Sequence, residues 1–112
     1  MREITFGQAI VEAIAEEMRR DERVFIMGED VGRFGMIYIA DTRVWDEFGE
    51  QRVLDTPISE NAIVGYALGA ALTGMRPIAE IMFCDLLVLA MDQIVNQAAK
   101  IRYMFGGETK VP

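Results

Sequence analysis

A carboxylate stands at the entrance to a helix in the stretch Asp55-Thr56-Pro57-Ile58-Ser59-Glu60. Ser59 is a residue type that favours the N-cap. That places Glu60 in a first turn, ahead of a run from Ala62 to Thr73 that is apolar on nearly every face. A carboxylate there complements the helix dipole, which is worth about 0.3–1 kcal/mol. With so apolar a helix behind it, it also suits a cavity or an interface, where it could do proton chemistry. The chain has no histidine. The commonest general acid–base residue and the commonest metal ligand are therefore missing. Any chemistry must use a carboxylate or a cofactor, or borrow from another chain.

The other polar constellations are weaker. Gly28-Glu29-Asp30-Val31-Gly32 follows an apolar run but matches neither glycine-rich phosphate pattern. Its two carboxylates would repel phosphate; they suit a turn, an interface or a metal. Gly65-Tyr66-Ala67-Leu68-Gly69 puts two bare backbone patches on one helix face, for close approach of another helix or for packing within the domain. Asp92 and Asn96 share a face, and Lys100 and Arg102 suit a helix C-terminus. Cys84 lies in an apolar neighbourhood and reads as a small core hydrophobe. One cysteine forms neither an internal disulfide nor a zinc site.

The elements that must position these groups follow from periodicity. Thr5 and Gln8 form a capping box. Ile10, Ala13, Ile14 and Met18 then recur at helical spacing up to about Asp21. Val24 to Met27 reads as a buried parallel strand ending at Gly28. A loop runs from Gly28 to about Ala40, and Val44, Trp45 and Phe48 predict a short helix closed by Gly49. Arg52 to Asp55 predicts a second strand, and Ser59 caps a helix buried all round and ended by Gly74. Pro77 to Phe83 predicts a third strand. A long helix from Leu86 to Phe105 carries Leu87, Ala90, Met91, Ile94, Ala98 and Ile101 on its apolar face and closes at Gly106-Gly107. Lys110-Val111-Pro112 leads toward another element. Alternating helices and short apolar strands give an α/β fold with a mostly parallel sheet flanked by helices. Three short strands make a thin sheet, which implies a fragment or an obligate partner.

Length and charge narrow the class. The chain has 112 residues, enough for one domain, and 52% of them are hydrophobic, which excludes disorder. The formal net charge is −7 with no basic cluster, which argues against a nucleic-acid partner. No apolar run is long enough to span a membrane. Met1-Arg2-Glu3 leads straight into an amphipathic pattern rather than a signal peptide, so a reducing, cytoplasmic setting is expected.

Taken in order, GEDVG, VLDTPISE, GYALGAALTGMRPIAEIMF and MDQIVNQAAKIRYMFGG resemble the amino-terminal part of the beta subunit of thiamine-diphosphate-dependent 2-oxoacid dehydrogenases. That group includes the pyruvate, branched-chain 2-oxoacid and acetoin dehydrogenases. The resemblance runs from about Ile4 to Pro112. It implies that residues 1–112 are a transketolase-like pyrimidine-binding domain, with the thiamine-diphosphate-binding fold, at the start of a longer subunit. It implies oxidative decarboxylation with acyl transfer to a lipoyl group. It also implies an α2β2 assembly with an alpha subunit that holds Mg2+, a lipoyl acyltransferase as further partner, and no activity from this chain alone.

In that family the glutamate matched by Glu60 hydrogen-bonds N1′ of the aminopyrimidine and favours the imino tautomer that activates the thiazolium carbon. Ile58 matches a position whose backbone lines the pyrimidine. Leu86 stands where an aromatic residue commonly stacks, and Leu89 where some relatives have Gln. Leucine packs but offers no π-face. The glycines of the helix then read as contacts at the subunit interface. The family's beta-subunit histidine, used near the substrate, has no counterpart in this sequence. Two rivals remain: a transketolase or deoxyxylulose phosphate synthase sharing the domain, and a non-catalytic assembly module that has lost cofactor use.

Overall fold

The computed structural model describes residues 2–36 and 41–111. The last part of the expected 28–40 loop, and Pro112, lie outside the described residues. Helix α1 (Phe6–Arg20) opens with both halves of the capping box: the Gln8 N–H donates to Thr5 Oγ1 at 3.2 Å, and the Thr5 N–H to Gln8 Oε1 at 2.9 Å. It ends at Asp21. Strand β1 (Val24–Gly28) is followed by a loop, helix α2 (Arg43–Phe48) and strand β2 (Val53–Asp55). Helix α3 (Glu60–Leu72) leads to strand β3 (Arg76–Ala79). The sheet order is β2-β1-β3 and both pairings are parallel, with Ile26 opposite Val53 and Ile78.

The central strand explains the layering. Its side chains alternate between two cores. Val24 and Ile26 pack with Val11, Ala15 and Met18 of α1 and with Val44 and Val53. Phe25 and Met27 pack with Ile63 and Ala67 of α3. A strand covered on both faces must be apolar throughout, as β1 is. Arg52 locks one layer to the sheet. Its guanidinium donates to the carbonyls of Met18 (2.7 Å), Asp21 (2.9 Å) and Val24 (2.6 Å) and lies 5.0 Å from the Phe48 ring centroid. Such charge-assisted bonds contribute about 1.5–3 kcal/mol each, and they close the end of α1, whose last carbonyls have no helical partner.

Several expectations need correction. The buried stripe of α1 is Val11, Ala15 and Met18, while Ile10 is 37% exposed; the stripe is rotated by one residue because Val11 faces β1. Helix α3 is not buried all round. Glu60, Ile63, Ala67 and Ala71 form its covered stripe, while Tyr66, to one side of it, is 63% exposed. Strand β3 is shorter than the expected Pro77–Phe83.

The long carboxy-terminal helix is not one regular helix. It divides into a 3-10 turn (Leu86–Ala90), a π-helical segment (Asp92–Ala98) and a single α-turn, α4 (Ile101–Met104). Of its apolar face only Ala90 is buried. Regular winding is maintained largely by packing of an apolar face, and this face has few partners. Its close at Gly106 and Gly107 holds, both with positive φ. Cys84 is exposed rather than in the core, because it falls in the bend after β3. Among the described residues no helix is long and apolar enough to cross a membrane.

Candidate functional site

The three strands end on the same side of the sheet, and open parallel sheets place ligands at those carboxyl ends. The loop after β1 carries Glu29 and Asp30, the loop after β2 runs Thr56–Ser59, and Glu80 follows β3. Two bonds tie the first two loops together. The Gly32 N–H donates to Asp55 Oδ1 at 2.7 Å, and the Thr56 N–H donates to the Gly28 carbonyl at 2.9 Å. A Cβ on Gly32 would lie 2.6 Å from Asp55 Oδ2 and 2.8 Å from the Trp45 ring, so only glycine permits this junction. Asp55 is thus a fastener. Asp30 holds a positive φ of 53°, rare for a non-glycine residue, in the turn just beyond Glu29.

Ser59 occupies the N-cap position of α3, but its hydroxyl does not cap; it donates to the Pro57 carbonyl at 3.0 Å. Glu60, the first residue of α3, is the one buried charged residue among those described, at 8% exposure. No described residue hydrogen-bonds its carboxyl group. Another acid, Glu29, is its electrostatic neighbour. Burial raises the Glu29 carboxyl above the ordinary range, and the charges of Glu60 and Asp30 raise it further, with the Ser59 backbone opposing them. Among the described residues no group of three ligand-type side chains could hold a metal.

The remaining predicted residues are placed as follows. Ile58 is 81% exposed on the loop before Glu60. Leu86 is half-buried and Leu89 exposed, both on the 3-10 turn that packs against α3. The glycine pair splits in role. Gly65 faces the Gln93 side chain, which a Cβ would meet at 3.3 Å, so it serves packing within the domain; Gly69 faces open space. Asp92 and Asn96 do share a face: the Asn96 amide donates to Asp92 at 2.8 Å and Lys100 donates to Asn96 at 2.7 Å.

Recesses of 510 and 390 Å³ flank Tyr66 on the open side of α3, walled by Phe25, Leu54 and Met75 and by Met27, Pro57 and Ile63 respectively. Neither includes Glu60, Ile58, Leu86 or Leu89. The carboxylates Glu29 and Glu80 are what sequence reasoning missed as a group with Glu60. The strand ends were the available signal, since each acid lies within five residues of one.

The chain belongs to the family described as the transketolase pyrimidine-binding domain, whose model matches residues 2–112. Among characterised proteins it is similar to beta subunits. It is 48% identical to the 2-oxoisovalerate dehydrogenase subunit beta of Bacillus subtilis (strain 168), with all of this chain and 34% of that protein aligned. It is 47% identical to the acetoin:2,6-dichlorophenolindophenol oxidoreductase subunit beta of the same organism, over 99% of this chain and 36% of that protein. It is 43% identical to the mitochondrial pyruvate dehydrogenase E1 component subunit beta of Homo sapiens, over 98% and 31%. The chain thus spans about a third of the length of these relatives.

Proposed function

We propose that these residues form the amino-terminal, pyrimidine-binding part of the beta subunit of a thiamine-diphosphate-dependent dehydrogenase acting on pyruvate, a branched-chain 2-oxoacid or acetoin. The family membership and the beta-subunit relatives support that class. The observation that carries the role of Glu60 is its environment. A helix-dipole partner would sit in solvent; Glu60 is buried, and no side-chain donor or cation among the described residues pairs with it. Such a carboxyl group is fitted to share a proton with a basic ring nitrogen brought by a ligand. Thiamine diphosphate, when bound, supplies the carbanion chemistry. Glu60 holds the proton at the aminopyrimidine, and Ile58, Leu86 and Leu89 bound the ring.

The recesses away from Glu60 leave this chain with one wall of a site. The other wall falls to an alpha subunit, in an α2β2 assembly, which also holds Mg2+ and the diphosphate. The acyl group passes to a lipoyl acyltransferase. The exposed, unpaired Cys84 suits a reducing compartment such as the cytoplasm.

The test is calorimetric titration of thiamine diphosphate with Mg2+ into the assembled complex, alongside turnover. Glu60→Gln is expected to assemble and to lose about a hundred- to ten-thousand-fold in kcat. A complex that assembles but binds no cofactor would make the chain a non-catalytic assembly module. Pyruvate oxidation by the isolated chain would refute its dependence on a partner.

A further inference from the structure

The turn that follows β1 is closed by a side chain from β2. Gly28 and Asp55 are the last paired residues of the two strands, and the Thr56 N–H adds one bond beyond them, to the Gly28 carbonyl at 2.9 Å. The Asp55 carboxylate then reaches past Gly28 and takes the Gly32 N–H at 2.7 Å. That length is typical of a charge-assisted bond, one of the stronger kinds. Within the turn, Asp30 holds a φ of 53°, and Met36, whose N–H donates to the Asp30 carbonyl at 3.1 Å, holds a φ of 50°. Strained backbone of this kind persists only where its surroundings over-determine it. Val31 and Met36, both buried in the core on the α1 side, supply one restraint, and Asp55 supplies the other.

Strand alternation puts Asp55 on the same side of the sheet as Val53, which is fully buried against the α1 layer. Glu60 stands at the head of α3, which covers the other side. Only Thr56 to Ser59 connect the two acids, and that connection has little slack. Thr56 is pinned to Gly28, Pro57 has its φ fixed by the ring, and the Ser59 hydroxyl donates to the Pro57 carbonyl at 3.0 Å. Beyond Glu60, Ile63 is 1% exposed beside Phe25 and Met27, and its N–H donates to the Ser59 carbonyl at 2.9 Å. Glu60 thus lies between two anchors, the closed turn behind it and Ile63 ahead.

We infer that Asp55 is a positioning residue: its carboxylate closes the β1 turn onto the end of β2 and so fixes the direction from which the chain delivers Glu60. The inference rests on the reading of Glu60 as the cofactor-facing carboxyl. Asp55 acts through Glu60. Without the bond to Gly32, the β1 turn lifts from the end of β2 and the Thr56 amide loses its fixed acceptor. The approach to α3 then shifts, and proton sharing at Glu60 falters because it demands hydrogen-bond geometry.

The experiment uses the full-length subunit assembled with its alpha subunit, and two readouts. The first is amide hydrogen exchange in the cofactor-free complex. Asp55→Ala is expected to speed exchange at Gly32 and at Thr56, while Ile26, bonded to the Arg52 carbonyl inside the sheet, stays protected. Asp55→Asn, which keeps an acceptor for Gly32, is expected to exchange as wild type does. Faster exchange at Gly32 alone overturns the inference, since the turn would then open without moving the approach to Glu60. The second readout is a double-mutant cycle on kcat with saturating thiamine diphosphate and Mg2+. Asp55→Ala is expected to lose about ten- to a hundredfold and to cause no further loss in the Glu60→Gln background, where nothing remains to be positioned. Equal losses in both backgrounds, or no loss in either, overturn the positioning role. If Asp55→Ala does not assemble, Asp55→Glu, which keeps the charge on a longer arm, goes through the same cycle under the same criteria. A Glu60→Gln complex that turns over as wild type does overturns the Glu60 reading and the positioning role with it. A Glu60→Gln loss with an independent Asp55 loss overturns the Asp55 inference alone.

Discussion

The acids of this chain divide into two sets with opposite pH behaviour. Asp21, Asp41 and Glu47 lie beside Arg23, Arg43 and Arg19, whose hydrogen bonds hold their carboxyl groups below the ordinary range. Their stabilisation is present above the unfolded carboxylate range and is lost as pH falls through their lower folded values. Glu29 and Glu80 are raised instead. Their protonated forms favour the fold at low pH, and that contribution is lost as pH rises through their higher folded values. Denaturation of the assembled protein across pH is therefore expected to show a gain in mildly alkaline stability for Glu80→Gln and none for Asp21→Asn. Equal responses would show that the two sets do not differ. Asp55 makes a separate case. Asp55→Ala removes the acceptor of the Gly32 N–H, and faster amide exchange at Gly32 is expected, with Glu60 still buried. Residue identity alone pointed to Glu60, because a lone carboxylate before an apolar helix has few other uses. It did not point to Glu80, whose meaning depends on lying across from Gly28 in a parallel pair.

Thr5 and Ser59 look alike in sequence, each a hydroxyl residue before a helix, yet only Thr5 caps one. Thr5→Ala is expected to destabilise the protein by about 1 kcal/mol. Ser59→Ala is expected to do much less, since its hydroxyl bonds the Pro57 carbonyl outside the helix. Denaturant unfolding of the two variants distinguishes them, and equal losses would sink the assignment. Pro57 explains the difference: it holds the approach to α3 extended, and the Ser59 hydroxyl turns back to the Pro57 carbonyl. Elements with their own local signals were legible. The capping box of α1, the apolar run of β1 and the Gly49 close of α2 all read correctly. Leu86 to Phe105 did not, because its period describes a helix whose regularity depends on packing that the described residues do not provide.

One face of the molecule is far less finished than the other. The α1 side of the sheet is a closed core sealed by Arg52. On the far side, Tyr66, Val88, Leu89, Tyr103, Met104 and Phe105 are each more than half exposed. Exposed apolar surface of that extent marks a site of association, and β2 and β3 are both open edges of the described sheet. Expressed alone, the chain is expected to self-associate, with light scattering reporting species larger than a monomer. Tyr103→Lys with Phe105→Lys should reduce that association, since charge on an exposed patch or edge opposes it, without unfolding α1 or β1. A clean monomer for the unmodified chain would count against the open face as an assembly surface.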